Sequence, residues 1–495
     1  MNSFIKFLIL TTIILGSCTQ KKSELIWDIN LPIIGSQSSP RTVDLNGDGI
    51  LDIVMGAGKN EFQKSEQGIL AINGKDGQIL WQQEAYDQVY GAATFHDINE
   101  DGIMDIFIGG RSPHLRALDG KTGKVIWEFQ VKEKDPILQY ARFNFYNLIL
   151  IEDQNGDGFP ELLTANGGNA EADPHSEVKR YPGVLMLLDA RSGNVIAADT
   201  MPDGNETYMS PLAFQQPEST DHHLIFGTGG ETIGGGLYTI TLSEFRRRGL
   251  ATAKIIASDD THGFIAPPVL ADITEDGWFD LVAISHGSQI FALDGKNQDL
   301  LWKQEIPDTE SSNTFGVGYF TGDEVPDFFT FVSKGIWPNN TGSLQVMLDG
   351  RDGSITFQDS LGCTGFSSPV VYDLNNDGHD EAIISINEFD CSRDLADRTP
   401  FQIINKLVAV DFKNKTTQII DQTPGFKNIF STPWIGDMDG DGYLDLVYSQ
   451  YYSHSDMLSF LGMRIKRIST SVKVRKPVFW GAYMGSDGNG IFQAK

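Results

Sequence analysis

The 495-residue chain predicts an all-β fold, an eight-bladed β-propeller of four-stranded blades closed by N- and C-terminal strands that share one blade. Three observations point there. A short acidic loop recurs along the chain, apolar strand-like runs flank each copy, and a tryptophan-bearing run that should end a blade stands alone near the N-terminus.

The fullest loop is Asp44-Leu-Asn46-Gly-Asp48-Gly49-Ile50-Leu-Asp52. Oxygen ligands at positions 1, 3 and 5, a backbone carbonyl at 7 and a carboxylate at 9 suit a hard cation that takes six to eight oxygens, and glycine at 6 lets the chain turn. The sequence therefore predicts calcium at Asp44, Asn46, Asp48, Ile50 and Asp52, at Asp97, Asn99, Asp101, Ile103 and Asp105, and at Asp153, Asn155, Asp157, Phe159 and Glu161. Two more such sets are Asp373, Asn375, Asp377, His379 and Glu381, and Asp437, Asp439, Asp441, Tyr443 and Asp445. A weaker sixth has Thr274 between Asp272 and Asp276, with Trp278 and Asp280 closing it. A worn copy, Tyr319 to Asp327, keeps only Asp323 and Asp327 and should hold no ion. About five or six structural calcium ions result; the alternative for any single loop is an Asp/Asn/Gly turn that caps its own backbone.

First aspartates recur at steps of 47 to 64 residues, apart from one step of 119 that spans two units. The unit without a loop keeps its strand runs, Ser210 to Phe214 and Leu224 to Gly227, so there are eight units. In each, a run such as Pro40 to Leu45 leads through the acidic turn to Leu51 to Met55. A pair like Ile69 to Ile72 and Ile79 to Trp81, joined at Gly74-Lys-Asp-Gly77, completes four strands. Glu24 to Asn30 matches fourth strands such as Leu300 to Ile306 but has no partners before it. It should complete the last unit, which begins near Pro433 and runs to the chain end, so that the ring has no open edge. Residues 455–476 have a blurred, basic strand pattern.

The acidic loops resemble the FG-GAP/VCBS repeats of integrin-α-type propellers. The turns between third and fourth strands, Ala117-Leu-Asp119-Gly-Lys-Thr122-Gly123-Lys-Val-Ile-Trp127 above all, resemble the tryptophan-docking repeat of quinoprotein dehydrogenases and of the propeller lipoprotein in outer-membrane barrel assembly. Trp27, Trp81, Trp127 and Trp302 then serve to pack neighbouring blades. Quinoprotein dehydrogenases typically stack pyrroloquinoline quinone against a ring of two adjacent cysteines. This chain has only Cys18, Cys363 and Cys391, so that cofactor is not expected. No nucleophile elbow, metal-binding His-x-x-x-His pair or phosphate loop occurs, and no catalytic residue is assigned.

Residues 1–17 read as a lipoprotein signal peptide, with Lys6, an apolar stretch from Phe7 to Leu15 and a lipobox-like Leu15-Gly16-Ser17-Cys18. Cleavage would leave Cys18 lipidated on a short linker, residues 18–23, ahead of a single propeller spanning 24–495. The alternative is an ordinary secretory signal with an incidental cysteine. By analogy with sorting signals, the anchor is expected in the bacterial outer membrane facing the periplasm. There Cys363 and Cys391, each 14 residues from Asp377, could pair across a hairpin or remain free thiols.

The net charge of −28, which six calcium ions would bring to about −16, opposes nucleic acid and anionic lipid over the molecule as a whole, and only the basic C-terminal stretch is suited to touch either locally. Calcium loops and third-to-fourth turns should share one face. The opposite face collects the candidate ligand residues Tyr90, Arg111, Tyr140, Arg142, Tyr208, His262, Trp337 and Phe366, with His175, Arg180, His286, Tyr451 and His454 nearby. Long loops from Asn166 to Pro182 and from Asn387 to Phe401 lie there too. The expected function is a non-catalytic, calcium-stabilised binding platform of the cell envelope for a protein or glycan, with a monomer favoured. Two alternatives stand beside it. One is a polysaccharide lyase of the rhamnogalacturonan-lyase type, the other an accessory lipoprotein of barrel assembly.

Overall fold

A computed structural model describes residues 22–493 apart from 174, 175, 177, 338, 395 and 396, so Cys18 and His175 lie outside the described residues. The chain forms eight antiparallel sheets in a ring, one per blade. Blade 1 shows the pattern. Arg41–Val43 lines the channel, and Asp52–Gly56, Ser65–Ile72 and Ile79–Ala85 follow outward. Blades 2 to 7 have inner strands beginning at Thr94, Asn144, Leu212, Val269, Thr309 and Val370, the third and sixth being interrupted. Burial follows from position: in blade 1 the second strand is wholly buried while the fourth is mostly half-exposed.

Blade 8 closes the ring. Trp434–Gly436, Tyr443–Tyr452 and Gly462–Lys473 are completed by Glu24–Pro32, which pairs antiparallel with Gly462–Lys473 from Glu24 opposite Ser469 to Pro32 opposite Gly462. The blurred basic stretch is thus the third strand, with Arg464 bound to Asp28 and Lys466 to Asp421. Arg464, Lys466 and Arg467 hide its alternation because they are paired partners, whereas Lys473 and Arg475 beyond them are exposed.

Neighbouring blades are joined by two devices. Each docking indole donates to the next blade: Trp27 Nε1 to Gly74 O at 2.7 Å, Trp81 to Gly120 O at 2.8 Å, Trp127 to Ala190 O at 2.8 Å and Trp302 to Gly350 O at 2.9 Å. A Cβ at Gly123, where φ is +71°, would come within 2.5 Å of the Trp81 ring, so only glycine admits the indole. Nearer the axis, side chains link successive inner segments. Thr432 N donates to Ser39 Oγ, Ser368 N to Thr432 Oγ1, Thr314 N to Ser368 Oγ, Ala92 N to Asn147 Oδ1 and Asn147 N to Ser210 Oγ. These satisfy buried backbone donors on the segments that lead into the inner strands, where no sheet partner reaches them.

One expectation needs correction. The last blade does not run to the chain end: after Lys473 the chain turns into the central channel and fills it. Ile435 N donates to Gly481 O, Val371 N to Trp480 O and Leu270 N to Gly490 O, while Phe492 N donates to Leu270 O. Trp480, Ala482 and Met484 are at most 1% exposed. Eight inner strands leave a bore wider than their own side chains span, and this segment supplies the missing core.

Candidate functional site

Each acidic loop is organised by its own carboxylates. The first aspartate accepts the N–H of the glycine at position 6, as Asp44 does from Gly49 at 3.0 Å and Asp272 from Gly277 at 2.9 Å. The fifth accepts the N–H at position 7, as Asp48 does from Ile50 and Asp441 from Tyr443, both at 2.9 Å. The ninth carboxylate turns inward. Asp52 accepts Leu45 N and Gly74 N at 3.0 Å each, and Asp105, Asp280 and Asp327 repeat this with Gly120, Gly295 and Gly350. The third-to-fourth turn is thereby held at its glycine N–H by its own blade and, where an indole docks, at its glycine carbonyl by the blade before. Asp327 does this in the worn copy as well, so the ninth position has a structural role independent of any ion.

Burial is the leading cause of a raised pKa at Asp52, Asp105, Asp280 and Asp445, and it brings Asp327 to about 6, Glu161 to about 7 and Glu381 to about 8. Among the described residues, carboxylate oxygens converge within 4.8 Å in two loops, Asp373 with Asp377 and Glu381, and Asp437 with Asp439 and Asp441. Glu161 is fully buried and its Oε1 has no hydrogen-bond partner among the described residues, which suits a cation in the blade 3 loop. The chain also brings its own cations. Lys296 reaches Asp276 at 2.6 Å, Arg351 reaches Asp323 at 2.8 Å and Lys413 reaches Asp377 at 3.2 Å. In blade 8, Arg467 Nη2 stands 2.6 Å from Asp439.

On the opposite face, some of the expected ligand residues form an arc around the channel mouth. The Tyr90 and Tyr146 rings are 6.4 Å apart, as are Tyr146 and Tyr208, and the Arg111 guanidinium lies 5.5 Å from the Tyr90 ring centre. Arg111 pairs with Glu61 at 2.6 Å, and Arg180 pairs with Glu206, whose carboxylate is almost wholly buried. His262 lies 5.9 Å from His286, ring to ring. The His286 Nε2 faces Glu310 at 3.7 Å and its Nδ1 stands 3.0 Å from the Ser311 carbonyl. Burial opposes charge on His286, but the acceptors on both nitrogens, with Glu231 nearby, hold its pKa above the ordinary value. Glu310 also accepts the N–H of Trp337 at 2.9 Å, which places that loop at the end of the arc. Burial pushes the Tyr90, Tyr146 and Tyr208 hydroxyls well above their usual pKa.

Four expected residues lie elsewhere, among them Tyr451, which is fully buried with its hydroxyl donating to the Met457 carbonyl at 2.6 Å. Phe366 is buried and stacked on Phe430, so it belongs to the core. Tyr140 ends a short 3₁₀ turn against Tyr181, and Arg142 donates from Nε to the Gln139 carbonyl. Tyr146, Glu206 and Glu310 were missed by sequence reasoning. The signal for Tyr146 was its place just before Ile149–Ile151, the second half of the interrupted blade 3 inner strand, a place like those Tyr90 and Tyr208 take before theirs. The Cys363 and Cys391 sulfurs are bonded, and the Cys363 N–H donates to Asn387 O on the next strand.

The family described as outer membrane protein assembly factor BamB matches residues 42–144. No curated protein matches the chain. Among solved structures, the quinohemoprotein alcohol dehydrogenase of Comamonas testosteroni is similar with a TM-score of 0.56 at 12% identity, covering 92% of this chain and 78% of that one. A europium-containing methanol dehydrogenase also gives 0.56 at 12% identity, covering 90% and 93%. BamB from Moraxella catarrhalis gives 0.48 at 12%, covering 90% and 98%. At these identities the likeness is one of fold, an eight-bladed propeller with PQQ-like blades.

Proposed function

We propose that the protein is a calcium-stiffened, lipid-anchored propeller of the bacterial cell envelope whose arc face binds a protein or glycan without turning it over. The observation that carries this reading is the arc itself. Loops of several blades bring three tyrosines and three ion pairs to one mouth, and the C-terminal segment fills the channel behind them. Aromatic faces beside positions already neutralised in pairs suit recognition of a polar, uncharged or mixed-charge surface.

Calcium is supported by the converging carboxylates of blades 7 and 8 and by the partnerless oxygen of Glu161. Its part here is to neutralise the loops and fix the blade turns. The anchor rests on Leu15-Gly16-Ser17-Cys18, and among the described residues no helix is long and apolar enough to cross a membrane. The name of the family matching residues 42–144 agrees with an envelope location. Pyrroloquinoline quinone forms no part of the reading, because Cys363 and Cys391 are bonded to each other rather than adjacent in sequence.

The test is affinity isolation of the tagged protein from its own envelope in calcium, beside a Tyr208→Ala, Arg111→Ala variant with unchanged melting. A partner recovered by the parent and lost by the variant supports the arc. Recovery of the same partner by both removes it. New ultraviolet absorbance from unsaturated uronates, on incubation with acidic glycans, would put the lyase reading in its place.

A further inference from the structure

The strand that closes the ring also fixes where any N-terminal anchor emerges. Glu24 pairs with Ser469, near the calcium-loop end of blade 8, where Tyr443 pairs with Lys473. Pro32, at the other end of the same strand, lies toward the arc face, opposite Gly462. The chain before Glu24 therefore leaves on the calcium-loop side. Five residues separate Cys18 from Glu24, and the six Cα-to-Cα steps between them reach at most about 22 Å. A bilayer holding Cys18 would lie beside the calcium loops.

That side carries features that suit such a surface. Leu25 and Ile26 are 51% and 39% exposed next to the anchor, and Lys473 and Arg475 are exposed on the same blade. The third-to-fourth turns of six other blades each present an exposed cation, Lys75, Lys121, Arg191, Lys296, Arg351 and Lys413. In blade 4 the turn is the helix Leu242–Arg248, whose last turn is three exposed arginines. Interleaved with this basic ring are the acidic loops, whose repulsion of an anionic surface falls as cations fill them. Lys296 and Lys413 are tied to Asp276 and Asp377, the fifth positions of two loops. An ion taking those carboxylates would compete with both lysines for them.

We infer that the calcium-loop face docks on anionic lipid headgroups when the loops hold calcium, and that the arc face consequently points away from the bilayer. The inference rests on the lipid anchor of the proposed function. Lysines and arginines near an anionic surface bind within about one Debye length, roughly 8–10 Å, so the contact needs the short tether and is weakened by salt.

The experiment places the purified lipoprotein in phosphatidylcholine–phosphatidylglycerol vesicles carrying a headgroup quencher. A fluorophore is attached at Ser354→Cys, on the blade 6 turn, or at Glu133→Cys, on the loop between blades 2 and 3 on the arc side. Calcium should give severalfold stronger quenching at position 354 than at 133, with the difference reduced by chelator or by replacing phosphatidylglycerol. Equal quenching, or stronger quenching at 133, overturns the orientation. Quenching at 354 indifferent to both calcium and lipid charge overturns the headgroup contact. Mass analysis of the same N-terminal peptide separates the premises. An unacylated Cys18 overturns the anchor and this inference together, whereas an acylated Cys18 with equal quenching overturns the inference alone.

Discussion

Replacing Arg467 with methionine tests how the ring is closed. Its guanidinium is 2% exposed and donates to three places: Asp439 Oδ2 at 2.6 Å, Asp445 Oδ2 at 3.0 Å and the Gly74 carbonyl at 2.9 Å. Gly74 belongs to blade 1 and the other two to blade 8, so one side chain spans the seam that the N-terminal strand completes. Methionine keeps the apolar stem and leaves Asp445, which is fully buried, without its counter-charge. Removing one member of a buried pair costs about 3–5 kcal/mol, a fall of roughly a hundred- to several-thousand-fold in the closed population. Native-state hydrogen exchange across Ser65–Ala85 and Trp434–Lys473 reads this loss locally, without assuming two-state unfolding of the whole ring. The Asp445 carboxyl is already raised by burial against the pull of Arg467, and loss of the arginine raises it further. The cost should therefore shrink as pH falls and Asp445 takes up a proton, and a second change, Asp445→Asn, should recover part of it. A loss below about 1 kcal/mol at neutral pH would refute the assignment of Arg467 as the cation that neutralises this seam.

The remaining predictions concern other joints. Trp480→Ala removes the largest of the fully buried side chains, at the channel centre, and should cost about 3–5 kcal/mol in denaturant titration. Converting Cys363 and Cys391 to serine opens a loop with a sequence separation of 28 and should cost about 3–4 kcal/mol, read by urea midpoint in the oxidised and reduced protein. The raised pKa of His286 makes its contribution full below its unfolded pKa and lost as pH rises through its folded one. A His286→Gln variant should lack that alkaline-side loss in a melting profile, and an identical profile would dismiss the imidazolium–Glu310 pair. Calcium should raise the melting temperature over a chelator control. Asp373→Asn with Asp377→Asn should remove one bound ion from the stoichiometry measured by calorimetry.

The ring was legible along the chain: the number of blades, the strand that closes it and the place of each docking indole. Those features are carried by residues whose spacing repeats, and a repeat needs no distant information to be read. The loops were legible as turns for the same reason. What the ninth carboxylate does came from folding, because Asp52 and Asp327 meet glycine N–H groups 22 and 23 residues further on, and no local pattern distinguishes that from a metal ligand. Folding decided that Phe366 is core, that Tyr146 joins Tyr90 and Tyr208, and that Glu310 faces His286 across the start of blade 6. It also decided the fate of residues 474–493. A segment that occurs once has no period to betray it, and its burial comes from filling a channel that exists only after eight separate blades have met.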